Sequence, residues 1–90
     1  MPAKLLHQTA IVTGAASGIG KAIAFKLMEH GARVYAFDLN GNLLKEYFSN
    51  NSQAISVNID VTNRQQVNDE INKIISKENK IDILVSCVGI

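Results

Sequence analysis

Thr13-Gly14-Ala15-Ala16-Ser17-Gly18-Ile19-Gly20 decides how the rest of this chain reads. Just before it, Thr9-Ala10-Ile11-Val12-Thr13 is a short β-branched run that reads as a buried strand. Just after it, Ile19, Ile23 and Leu27 recur at helical spacing with Ala22 and Met28 beside them, so a helix is expected from Gly18 to His30. Gly31 then offers a helix stop that tolerates positive φ. A glycine-rich turn between strand and helix is suited to an anion. The first helical turn has free backbone N–H groups and the positive end of the helix dipole. Glycines there let the backbone turn tightly and let a phosphate come close.

The alternation continues outward. Arg33-Val34-Tyr35-Ala36-Phe37 reads as a second strand ending at Asp38. Leu43, Leu44, Tyr47 and Phe48 mark a short helix that Asn50-Asn51-Ser52 breaks. Ala54 to Ile59 is a third strand ending at Asp60. Thr62 is the expected N-cap of the next helix, in a capping box with Gln65, and Val67, Ile71, Ile74 and Ile75 mark its apolar face. Ile81 to Val85 is a fourth strand running into Ser86-Cys87-Val88-Gly89. This βαβαβαβ order predicts an α/β fold, a partial Rossmann-type doubly wound parallel sheet with three helices. Right-handed crossovers and the usual topology give strand order 3-2-1-4, with the first two helices on one face and the third on the other. Residues 1–90 are expected to be one truncated domain, the N-terminal part of a dinucleotide-binding unit.

Composition narrows the partners. A net charge of +1 with no basic run argues against nucleic acid or an anionic membrane. No apolar run approaches the ~18 residues of a membrane span. The first residues resemble neither a signal nor a transit peptide. The one cysteine, Cys87, cannot form an internal disulfide, so a cytoplasmic location is expected. The two histidines and Cys87 lie far apart in sequence, so no metal-ligand spacing exists.

Gly14, Ser17, Gly18, Ile19 and Gly20 form the candidate phosphate loop, spaced Gly-x-x-x-Gly-x-Gly. Asp38 follows Gly20 by 18 residues, near the ~20 at which an acid meets the adenosine ribose of a dinucleotide. Its carboxylate would accept the ribose hydroxyls and repel a 2′-phosphate. Ser17 and Leu39 are neutral, so NAD is favoured over NADP. Asp60 and Val61, at the end of strand 3, could hold an adenine edge. Asp60 could equally be an acid placed to favour the following helix dipole.

Together these residues resemble the classical short-chain dehydrogenase/reductase family. Its Thr-Gly-x-x-x-Gly-x-Gly stands as Thr13, Gly14, Gly18 and Gly20, its strand-2 acid as Asp38, and its Asp-Val-Thr as Asp60-Val61-Thr62. The resemblance implies an NAD(P)-dependent oxidoreductase acting on an alcohol or carbonyl. It places Ser86 and Gly89 beside the cofactor, where the family carries Asn-Asn-Ala-Gly and this chain has Ser86-Cys87-Val88-Gly89. Serine lacks the asparagine amide's paired donor and acceptor.

The resemblance also implies that the chemistry uses a Ser and a Tyr-x-x-x-Lys pair past strand 4. Tyr35 and Tyr47 are followed four residues on by Leu39 and Asn51, so no catalytic residue is assigned, and the ninety residues alone are expected to be inactive. A non-catalytic nucleotide-binding module and a non-functional truncated product stay open beside the oxidoreductase reading. A methyltransferase fits the glycine spacing poorly. Strand 4 would expose an apolar outer edge, so self-association through that edge is expected, or family-type homo-oligomers in a longer protein.

Overall fold

Short apolar runs separated by polar turns build one sheet and its crossover helices in the computed structural model, which describes residues 4–87. The elements are β1 (Thr9–Thr13), α1 (Gly18–Glu29), β2 (Arg33–Asp38), α2 (Gly41–Phe48), β3 (Ala54–Asn58), α3 (Arg64–Glu78) and β4 (Ile83–Ser86). All strand pairs are parallel, and the order is β3-β2-β1-β4. The doubly wound sheet expected from the sequence is therefore the fold of this chain.

The strands read as apolar runs because both faces of β1 and β2 are covered. On one face Ala10, Val12, Val34 and Ala36 meet Ala24 and Met28 of α1 and Leu44 and Phe48 of α2. Small residues on the sheet leave room for that layer, where the Phe25 and Phe48 rings stack with centroids 5.1 Å apart. On the other face Ile11, Tyr35 and Phe37 pack with Ile74, and α3 adds Val67 and Ile71. The helix faces are as expected, α1 and α2 together and α3 opposite.

Element ends follow from local bonds. α1 ends at Glu29, with His30 as C-cap and Gly31 at φ 98°, the left-handed turn that glycine accepts freely. α2 starts at Gly41, before the expected apolar residues, because Asn40 caps it by accepting the Leu43 N–H at 3.1 Å. β3 stops at Asn58, one residue short of the expected Ile59. The expected capping box at α3 is corrected. Asn63, not Thr62, is the N-cap and accepts the Gln66 N–H at 3.2 Å. The Thr62 hydroxyl is taken by Asp60, and the Gln65 amide bonds Asp69 instead. β4 also starts later than expected. Asp82 turns to fasten the start of β1, its carboxylate accepting the Thr9 N–H at 2.8 Å while its own N–H donates to the Thr9 carbonyl at 2.9 Å. The hydrogen bond from the Thr9 N–H, foremost, holds the Asp82 carboxyl below the usual carboxylate range against some desolvation, with Lys80 adding to it.

Candidate functional site

Parallel strands bring their C-terminal ends to one edge, so the turns after β1, β2 and β3 and the end of β4 meet there. That edge carries the expected Gly14, Asp38, Asp60 and Ser86 together. The strand order also reverses there, since the chain builds outward from β1 to β2 and β3 and then returns to place β4 on the other side of β1, and ligands of open α/β sheets bind at such switch points.

The loop's three glycines have different reasons. Gly14 sits at φ 67°, and a Cβ on it would stand 3.1 Å from the Cys87 carbonyl carbon. Gly20 lets α1 approach the loop, since a Cβ there would lie 2.1 Å from the Gly14 oxygen. Gly18 meets nothing of the protein within 4 Å and has no positive φ. Its missing side chain opens space toward solvent, the condition for close approach of a ligand. Ser17 is the α1 N-cap. Its hydroxyl donates to the Gly14 carbonyl at 2.6 Å and accepts the Gly20 N–H at 3.1 Å. Ala15 donates to the Phe37 carbonyl, Ser17 to the Gly14 carbonyl and Lys21 to the Ser17 carbonyl. Among the described residues, the N–H groups of Gly18 and Ile19 have no acceptor. These two amides, at the positive end of α1, are the ones left to receive an anion.

Asp38 stands beside the loop. Its Oδ2 accepts the Ala16 N–H at 3.0 Å and its Oδ1 accepts the Asn40 N–H at 2.8 Å. An ionised carboxylate has about four acceptor directions, so two remain for further donors. A cavity of about 620 Å³ opens here, lined by Asp38, Leu39, Asn40, Lys45 and Asn58 among others. Leu39 is 70% exposed and Ile19 is 53% exposed, two bare apolar side chains flanking a polar edge. The sequence reading missed Asn58 and Lys45. Asn58 is the register partner of Asp38, and pairing of β2 with β3 was the signal that could have found it. Lys45 reaches this cavity from the α2 helix, so a cation lines the same space as Asp38 although none adjoins it in sequence.

Asp60 folds its carboxylate back on its own turn. Oδ1 accepts the Thr62 hydroxyl at 2.6 Å and the Thr62 N–H at 2.9 Å. The hydroxyl bond, then the backbone bond, lowers its carboxyl below the usual range. Val61 is half-buried against the α3 side of the core. Ser86 ends β4 opposite Thr13 and is exposed. Cys87 is buried, and its N–H donates to the Thr13 carbonyl at 3.2 Å and to the Thr13 hydroxyl at 3.3 Å. Gly89 lies outside the described residues.

The glycine loop, the acid at the end of β2 and the Asp-Val-Thr turn are thus brought to one edge of the sheet. Residues 8–90 match the short chain dehydrogenase family. This chain belongs to that family. It is 39% identical over 88 residues to an uncharacterized oxidoreductase of Staphylococcus epidermidis, covering 97% of this chain and 38% of that protein. It is 37% identical over 90 residues to 15-hydroxyprostaglandin dehydrogenase [NAD(+)] of Mus musculus, covering 92% of this chain and 33% of that protein. Among solved structures it resembles 3-ketoacyl-(acyl-carrier-protein) reductase from Brucella melitensis complexed with NADH, with TM-score 0.81 and 28% identity over 89% of this chain and 34% of the other. The chain therefore spans little more than a third of the relatives it matches.

At the end of β4 the backbone N–H of Cys87 reaches Thr13. A buried thiol packs there as a small apolar group against Gly14. No helix of the described residues is long and apolar enough to cross a membrane.

Proposed function

We propose that residues 1–90 are the dinucleotide-binding N-terminal part of an NAD-dependent oxidoreductase that moves a hydride between the nicotinamide and an alcohol or carbonyl. The observation that carries the reading is the Asp38 carboxylate, set against the glycine loop by the Ala16 N–H. Gly14, Gly18 and Gly20 shape the loop, Ser17 caps it, and the Gly18 and Ile19 N–H groups receive the pyrophosphate. Asp38 accepts the adenosine ribose hydroxyls through its remaining lone pairs. Leu39 and Val61 flank the adenine, with Asp60 holding the turn, and Ser86 borders the nicotinamide side. The bound nicotinamide supplies or accepts the hydride.

NAD is favoured over NADP because a 2′-phosphate beside Asp38 would set two anions together. Lys45, lining the same cavity, offsets part of that repulsion, so the preference is moderate. The mouse relative named for NAD(+) supports the same direction. The ninety residues bind nucleotide without turning over substrate, and the reducing cytoplasm suits the free Cys87.

Equilibrium titration with NAD and NADP tests the reading. NAD binds the tighter, and D38N and D38A narrow or invert the ratio. An unchanged ratio removes Asp38 from ribose recognition. Absence of binding by either nucleotide in a folded protein overturns the function.

A further inference from the structure

Asp38 lies 22 residues from Ala16, yet its side chain is bonded to that residue's backbone. The same carboxylate bonds Asn40 N–H, and the Asp38 carbonyl accepts the Ile59 N–H at 3.0 Å. One residue therefore touches the β1–α1 loop, the β2–α2 turn and the end of β3. The Asn40 that it holds in turn caps α2 through the Leu43 N–H.

We infer that Asp38 is a positioning residue for the phosphate loop, its carboxylate holding the Ala16 N–H so that the neighbouring Gly18 and Ile19 N–H groups face the ligand before any dinucleotide arrives. This rests on the proposed cofactor site but goes beyond ribose recognition. Apart from Asp38, the loop between Gly14 and Ser17 is held to β2 by one backbone bond, from Ala15 N–H to the Phe37 carbonyl at 3.0 Å. Without the Asp38 bond, the half-buried Ala16 amide is left with a desolvation cost and no acceptor. The loop then samples arrangements in which its free amides no longer converge.

The inference has a sign that plain electrostatics lacks. Asp38 is an anion near a phosphate site. Were it only a ribose reader, its removal would lessen repulsion and leave phosphate binding equal or tighter. As a positioning residue, its removal weakens phosphate binding despite that relief.

The experiment uses the protein at its natural length and inorganic pyrophosphate, which has no ribose. D38A should bind pyrophosphate about ten-fold more weakly. D38N, which keeps one carbonyl acceptor, should fall between D38A and the unsubstituted protein. Equal or tighter pyrophosphate binding by a folded D38A overturns the inference. Hydrogen exchange needs no variant. In the unsubstituted protein without nucleotide, the Ala16 amide should be protected like the amides of β1, and an unprotected Ala16 amide overturns the inference even if both variants fail to fold. The two readings fail separately. A narrowed NAD/NADP ratio with unchanged pyrophosphate binding leaves ribose recognition standing and removes the positioning role. Weakened pyrophosphate binding with an unchanged ratio does the reverse.

Discussion

The α-carbon of Gly20 faces the carbonyl oxygen of Gly14 so closely that a Cβ on Gly20 would stand 2.1 Å from it. The contact is backbone on backbone, so no side chain can swing aside to relieve it. Gly18, two residues earlier, faces open space. One glycine is thus demanded by the fold, while at the other the fold would accept a side chain.

The two alanine variants should separate these demands. G20A pushes α1 off the loop and should cost about 1–3 kcal/mol, seen as a lower melting temperature. G18A should leave the melt within about 0.5 kcal/mol, since alanine suits a helix start better than glycine. It should nevertheless weaken NAD binding, because the methyl fills the space beside the free amides. A G18A protein that binds NAD normally would remove Gly18 from the phosphate site.

Tyr35 carries an alkaline prediction. Its hydroxyl donates to Glu78 Oε2 at 2.6 Å, and Arg33 lies 3.5 Å from the same oxygen. Burial first, then the Glu78 bond and charge, push the phenol from 10.0 to about 12, with Arg33 opposing them. The folded value exceeds the unfolded one, so the contribution is complete below pH 10.0 and fades as pH rises toward about 12. Chemical denaturation across this window should show stability falling with pH. Y35F should flatten that slope and cost about 1 kcal/mol at neutral pH.

The start of α3 carries an acid prediction. N63A should shorten the helix and cost about 1 kcal/mol, whereas T62A should leave the cap in place. T62A should instead bring the Asp60 carboxyl back up toward 3.8, because the Thr62 hydroxyl is the chief cause of its lowering. The folded value lies below the unfolded one. The contribution is therefore present above the unfolded value and is lost as pH falls through the lowered folded value. A carboxyl-carbon NMR titration of Asp60 in both proteins decides the point. An equal pKa in T62A would mean that the hydroxyl bond is not made in solution.

These cases mark what sequence could and could not carry. Strand order and helix faces were legible from the usual topology and right-handed crossovers rather than from periodicity. The α1 face was only partly legible: Ala22 and Ile19, read with the apolar face, are exposed, while Ala24 and Met28 are the side chains buried on the sheet. The cap of α3 was not legible. Thr62 and Asn63 each stand three residues before a glutamine, and only the Asp60 carboxylate, by taking the threonine hydroxyl, breaks the tie. The Asp38 bond to Ala16 was hidden because it joins two turns through space. The glycine pattern marked the turn between β1 and α1, but which amides stay free there depends on bonds that no spacing records.

The outer edge of β4 leads to the last prediction. Leu84 is the register partner of Ile11, so the two share the α3 face of the sheet. Ile11 is 2% exposed while Leu84 is 66% exposed, and Ile75 on α3 is 44% exposed. Among the described residues β4 pairs with β1 alone, so its other edge offers unpaired backbone groups next to bare apolar side chains. A ninety-residue chain with that edge should associate with copies of itself. Sedimentation equilibrium should give a mass that climbs with concentration above 9.8 kDa. Because Leu84 is mostly in solvent, L84K should cost about 0.5 kcal/mol or less and should shift the chain toward the single-chain mass. A concentration-independent 9.8 kDa species for the unsubstituted chain would mean that the edge is protected without a partner. Unchanged association of L84K would place the contact elsewhere, with the unpaired edge of β3 the next to test.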